Sequence, residues 1–186
     1  DNLIPTICTV TVSDADAPAE DEITVSFTLL GDSTHEDGTV HTLKDGNLQT
    51  WIAETAITLD KDATVLDALN KACIEQTGFR YTIATNQEKN YVASITREDL
   101  AAGEKITLGE FTNGPDSGWM FTYNGRHKNL SVSQQTLAEG DTIVFHYTDD
   151  HTREEQAKYT PEEVSKLIDE IGEVTRESGT AIDTAR

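Results

Sequence analysis

Short segments of alternating apolar and polar residues, interrupted by one good helix pattern, constrain the fold of this chain most. Residues 22–30 place Ile23, Val25, Phe27 and Leu29 on one side, which is typical of a strand with one buried face. Further strand patterns lie at 48–59, 79–83, 91–95, 106–111, 119–123 and 142–148. Several short strands with a single helix predict an α+β fold.

The helix is predicted over residues 64–77. Thr64 is a favourable N-cap, Asp67 stands three residues later as in a capping box, and apolar residues follow at helical spacing. Gly78 can end the helix. We expect the helix to pack on the sheet. The predicted core residues are Val65, Leu66, Leu69, Trp119, Phe121, Ile143 and Phe145. Asn124-Gly125 is the strongest hairpin signal, since both residues tolerate positive φ.

Polar and charged stretches divide the chain into four segments. We predict an N-terminal strand and linker at 1–21, the α+β domain at 22–150, a linker at 151–158 and the truncated start of a helical module at 159–186. The last segment carries an apolar helical stripe with no predicted partner. We therefore expect the chain to be a piece of a larger, multi-module protein.

The charge balance excludes some partners. The chain has 14 basic and 34 acidic residues, a net charge of -20, and such a field repels phosphates. We therefore expect neither nucleic acid nor an anionic membrane surface as a partner. No apolar run approaches the roughly 20 residues that cross a bilayer, so no membrane insertion of this segment is expected.

No catalytic or cofactor motif is present. The chain lacks a Gly-x-Ser-x-Gly elbow, a phosphate-binding Gly-rich loop, His-Glu-x-x-His and Cys-x-x-Cys. We expect no enzyme activity, no catalytic residue, no cofactor and no dedicated metal site, but only weak calcium or magnesium binding to surface carboxylates. Cys8 and Cys73 leave two alternatives open: a disulfide between them outside the cell, or a buried thiol at Cys73.

Residues 109–125 carry the best candidate for a binding site. A tight polar loop precedes an aromatic hairpin, as in loops that bind ligands on rigid scaffolds. The candidate ligand-binding residues are Asn113, Asp116, Ser117 and Trp119. The structural alternative is that the aromatic residues of this strand fill the core. His146, in the predicted last strand, is expected to be a sheet-face histidine with an ordinary hydrogen bond.

Four ordered motifs give a family resemblance. They are Thr64–Leu69, Tyr91–Ile95, Ser117–Gly125 and Glu139–Thr148. Together they resemble the transcobalamin-like C-terminal domain family, in the branch of unknown function found in Gram-positive surface proteins. The resemblance implies a β-grasp-like mixed sheet packed on one helix, here followed by a short helical fragment. In animal cobalamin carriers the related domain covers one face of the corrinoid.

The expected function is a non-catalytic interaction or spacer module, of the adhesin type, in a bacterial cell-surface protein. We expect an extracellular location, at the cell surface or in the cell wall. Loops 31–47 and 112–118 would be displayed to an unknown protein or glycan. The alternative is a small-molecule binding domain, with a corrinoid (cobalamin) as the candidate ligand.

Overall fold

The computed structural model describes residues 21–36, 38–86 and 90–155, and it confirms an α+β fold. The elements, in chain order, are β1 (Glu22–Gly31), β2 (Gln49–Asp60), α1 (Val65–Ile74), β3 (Phe79–Asn86), β4 (Tyr91–Asp99), β5 (Lys105–Gly109), β6 (Gly118–Tyr123), β7 (Arg126–His127) and β8 (Thr142–Thr148). Strands predominate, and α1 is the helix among these described elements.

The strands form two sheets. The larger is mixed, in the order β2-β1-β8-β6-β7. Its central pair, β1 and β8, is parallel, with Phe27 opposite Ile143 and Leu29 opposite Phe145, while the other pairs are antiparallel. The smaller sheet is antiparallel, in the order β3-β4-β5. The first sheet, with α1 packed against it, is the β-grasp-like arrangement of mixed sheet and helix that the resemblance implies. The second, three-stranded sheet was not predicted.

Helix α1 packs against β1, β2 and β3. Val65 and Leu69 on the helix are fully buried, as are Phe27 and Tyr147 on the sheet. Five of the seven predicted core residues are buried; the other two, Leu66 and Trp119, are only partly buried and pack against the core. Trp119 differs from the expectation because one part of its ring lines a surface cleft.

Local signals at the helix and the hairpin are confirmed. Thr64 and Asp67 form the predicted capping box. The helix ends at Ile74, three residues before the predicted end, and Gly78 (φ 84°) lies in the following turn. Asn124 and Gly125 have φ values of 50° and 74° and join β6 to β7.

Several predictions fall on residues outside the described ranges. The N-terminal strand and most of segment 1–21 lie there, and so do segment 159–186 and Cys8. The disulfide therefore stays a prediction. Cys73 is buried and has no disulfide partner among the described residues, and desolvation by burial raises the pKa of its thiol to about 12. Residues 151–155, which the sequence assigns to a linker, lie against the domain, with Glu154 buried.

Within the described residues, no helix has the length and apolar character needed to span a membrane.

Candidate functional site

The long loop between β1 and β2, residues 32–48, is fastened to the end of β8. The backbone N–H of Asp149 donates to the carbonyl of His41 over 3.0 Å, and the backbone N–H of His41 donates to Asp149 Oδ2 over 2.6 Å. Farther along the loop, the N–H of Leu43 donates to Glu154 Oε1 over 2.8 Å. Loops of this length without secondary structure are uncommon unless they are functional or disordered. These bonds hold His41 and Leu43 of this loop against the end of β8 and the residues that follow it.

Four side chains meet where the loop touches β8, and we call Asp32, His35, His41 and Asp149 the His/Asp cluster. One donor atom from each lies within 4.8 Å of the others. His35 Nε2 lies 3.2 Å from Asp32 Oδ2 and 3.2 Å from Asp149 Oδ2. His41 Nδ1 lies 2.9 Å from Asp32 Oδ2. The two imidazole rings are adjacent, with centroids 4.5 Å apart. The cluster is therefore a convergent set of two nitrogen and two oxygen donors.

The second oxygen of each carboxylate is held from outside the cluster. Asp32 Oδ1 accepts from the N–H of Ser33 over 2.7 Å, and Asp149 Oδ1 accepts from Asn113 Nδ2 over 3.0 Å. Asn113 Nδ2 also donates to the carbonyl of Ser33 over 2.9 Å. These bonds fix both carboxylates with Oδ2 towards the histidines, and they tie the 112–118 loop to the 32–48 loop.

The cluster has a buried side and an open side. The side chains of Asp32 and Asp149 are 1% and 2% exposed, whereas those of His35 and His41 are 13% and 21% exposed. Burying carboxylates is unfavourable unless a positive charge or hydrogen bonds compensate them. Within the described ranges, His35 pairs with both carboxylates, and His41 pairs with Asp32.

A second buried group, His127, His146 and Glu154, holds residues 151–155 against the sheet. His127 Nδ1 donates to the carbonyl of Glu155 over 2.8 Å, and His146 Nδ1 donates to that of Tyr147 over 3.1 Å. The two Nε2 atoms are 2.9 Å apart, so one of them must also carry a proton. Glu154 Oε1 lies 3.7 Å from His146 Nδ1.

Burial determines the protonation of His146. Complete burial lowers the pKa of His146 to about 4, and the nearby His127 lowers it further, against the opposing effect of Glu154. His146 therefore accepts at Nε2, and His127 donates to it. The sequence predicted an ordinary hydrogen bond for His146. The structure instead places it in a buried group with His127 and Glu154, which the sequence did not indicate.

Two of the predicted ligand-binding residues serve the fold in this structure. Asn113 joins the two loops as described above. Ser117 is buried; its hydroxyl donates to the carbonyl of Gly114 over 2.9 Å and accepts from the hydroxyl of Tyr147 over 3.0 Å. The role of both residues in ligand binding stays a prediction.

The other two predicted residues, Asp116 and Trp119, lie at a surface cleft of about 300 Å³, which Ser117 also lines. Its lining includes Tyr91, Glu110, Asp116, Trp119, Met120 and His151. Trp119 is held in place because its Nε1 donates to the carbonyl of Leu108 over 2.9 Å and its ring packs edge-on against Tyr147. The cleft thus combines an aromatic wall with carboxylates, and Asn113 does not line it.

Sequence reasoning missed the His/Asp cluster because its members do not form a motif. His35 and His41 are six residues apart on an irregular loop, and Asp149 is far along the chain. The available signal was the presence of two histidines and several aspartates in one loop, next to the end of β1.

One comparison with known proteins matches the chain from before α1 to the end of the domain. Residues 62–149 match a domain of unknown function (DUF4430). The match extends from just before α1 to Asp149. It therefore includes Asp149 of the His/Asp cluster and the whole loop 112–118. Its description gives no function and names no transcobalamin-like protein, so that resemblance stays a prediction. Among the curated proteins, none matches the chain.

Proposed function

We propose that this chain is a non-catalytic, extracellular interaction module of a bacterial cell-surface protein, and that its partner is a glycan. The observation that carries the proposal is the convergence of two loops at one end of the mixed sheet. Asn113 joins the loop 32–48 to the loop 112–118, and the cleft with Asp116 and Trp119 opens beside this junction. A loop surface held by a rigid sheet is a common location for binding sites.

The chemistry of the cleft favours a sugar over a buried small molecule. Tyr91 and Trp119 provide aromatic surface, and Glu110 and Asp116 provide hydrogen-bond acceptors. At about 300 Å³ the cleft lies at the lower end of the range for ligand pockets, which suits one or two sugar rings. The net charge of -20 favours a neutral or amino sugar over an anionic one.

An exposed aromatic residue extends this surface. Phe111 is 62% exposed and has a left-handed backbone, with φ 68°. It follows Glu110, and its N–H donates to the carbonyl of Ser117 over 3.1 Å, so its backbone is fixed beside the cleft. An exposed large aromatic side chain on a fixed loop is well suited to stack on a partner.

We also propose that the cleft has no catalytic activity. Ser117 is a hydroxyl residue in the cleft, and its proton goes to a backbone carbonyl instead of a general base. It is therefore not activated as a nucleophile in this arrangement.

The test is binding of the labelled full chain to a printed glycan array. Asp116→Asn and Phe111→Asn should weaken the signal at least tenfold, whereas Leu130→Asn, an exposed apolar residue outside the cleft lining, should not. Asn tolerates the left-handed backbone at position 111. Absence of any specific glycan signal, or equal losses in all three variants, would contradict the proposal and favour a protein partner or a spacer role.

The corrinoid alternative is tested separately. After mixing with cobalamin and desalting, the glycan proposal predicts colourless protein. Retained pink colour that Trp119→Ala abolishes would support the small-molecule alternative and the transcobalamin-like resemblance on which it rests.

A further inference from the structure

The His/Asp cluster has the donor set and the spacing of a metal site. In a tetrahedral site with metal–donor distances of about 2.0 Å, neighbouring donors are about 3.3 Å apart. The three closest nitrogen–oxygen separations in the cluster are 2.9, 3.2 and 3.2 Å. The remaining separations do not exceed 4.8 Å, so closure around an ion needs only small movements of these four side chains.

The contact of His35 with the two carboxylates is not that of one well-directed hydrogen bond. His35 Nε2 is equally distant, at 3.2 Å, from the Oδ2 atoms of Asp32 and Asp149. A single N–H cannot point well at two oxygens, whereas a lone pair at Nε2 and both oxygens can be directed at one cation between them. Neutral histidines and two carboxylates carry a charge of -2, which a divalent cation neutralises.

Hydrogen bonds from residues around the cluster orient its side chains, as they do in metal sites. In metal sites, groups outside the coordination sphere orient the ligands. Here Ser33 and Asn113 hold the Oδ1 atoms of the two carboxylates and leave each Oδ2 facing the histidines. Asp149 Oδ2 also accepts from the backbone N–H of His41 over 2.6 Å, and its second lone pair can bind an ion. The Thr39 hydroxyl lies 3.4 Å from His41 Nε2, the ring nitrogen that faces away from Asp32. The partial exposure of the histidines gives an ion a path from solvent.

We propose that Asp32, His35, His41 and Asp149 bind one divalent first-row metal ion, with Zn²⁺ the best fit. Two imidazoles with two monodentate carboxylates suit Zn²⁺, whereas Mg²⁺ and Ca²⁺ prefer oxygen donors. The ion joins the loop 32–48 to the end of β8. Its role is structural, since all four positions are filled by protein.

The experiment uses the full chain, freed of metal with a chelator and titrated with Zn²⁺ in competition with a chromophoric indicator. We expect one equivalent to bind with submicromolar Kd, the melting temperature to rise, and Ca²⁺ and Mg²⁺ to bind at least 100-fold more weakly. With Co²⁺, the visible spectrum should show the intense bands of tetrahedral coordination without a thiolate charge-transfer band.

Substitutions of single residues test which side chains bind the ion. His35→Gln, His41→Gln and Asp149→Asn should each lower the Zn²⁺ affinity at least tenfold, and Asn113→Ala, which acts on the outer contacts, about 10- to 100-fold. The matched control is Asp62→Asn, an exposed aspartate whose left-handed backbone, φ 70°, suits asparagine; its affinity should not change. Far-ultraviolet circular dichroism without metal verifies that each variant folds.

Three results would overturn the proposal: no saturable one-equivalent binding, unchanged affinity in His35→Gln and His41→Gln variants that fold, or a thiolate band in the Co²⁺ spectrum. Because Phe111 and Asp116 lie outside the cluster, the variants of the glycan test leave the four proposed metal ligands unchanged.

Discussion

Truncation of Leu69 to alanine tests the packing of α1 on the sheet. Leu69 is completely buried, and the change removes three carbon groups, each worth about 0.8 kcal/mol on transfer from water. This transfer loss of about 2 kcal/mol and the cavity left behind together give an expected destabilisation of about 3–4 kcal/mol. Alanine and leucine have similar helix propensity, so the loss reports packing.

Urea unfolding monitored by circular dichroism measures this loss. The midpoint should fall while the m-value stays constant. Leu66→Ala is the matched control, because Leu66 lies on the same helix and is only partly buried; we expect a loss of about 1 kcal/mol. A loss below about 1 kcal/mol for Leu69→Ala, or equal losses for the two variants, would refute the placement of α1.

Three further predictions concern stability. Because burial depresses the pKa of His146 from 6.5 to about 4, its contribution is present above pH 6.5 and is lost as the pH falls through about 4; urea midpoints at pH 7 and pH 5 should differ less in His146→Gln than in the wild type. Gly31→Ala would place Cβ 2.0 Å from Cε2 of buried Trp51 and should cost about 1–3 kcal/mol, whereas Gly118→Ala, with open space around it, should be nearly neutral in the same assay. Thr64→Ala removes the capping box and should lower the unfolding free energy by about 1 kcal/mol, and an unchanged value would contradict the cap.

The sequence predicted the local structure well because each signal depends on neighbouring residues. The alternation from Ile23 to Leu29, the capping box at Thr64 and the turn at Asn124-Gly125 all specify backbone conformation over a few residues. Errors occurred at element ends. The predicted strand 106–111 ends at Gly109, because Phe111 adopts a left-handed backbone.

The candidate site was less accessible from sequence, since it depends on contacts between distant segments. His41 and Asp149 are 108 positions apart, and they meet only because β1 and β8 are neighbours in the sheet. The pairing of His127 with His146 has the same origin, because β6, β7 and β8 are adjacent. The short polar side chain of Asn113 gave no indication that it would join two loops.

Both proposals require the loop 32–48 to be held against the end of β8, and amide hydrogen exchange measures this most directly. The N–H groups of His41, Leu43 and Asp149 all donate across this contact. We predict that these amides are protected in the wild-type chain, and that Asp149→Asn accelerates exchange at His41 while leaving the amides at the centre of β1 unchanged. Exchange at His41 and Leu43 as fast as in an unstructured peptide, with or without Zn²⁺, would contradict the fixed loop surface.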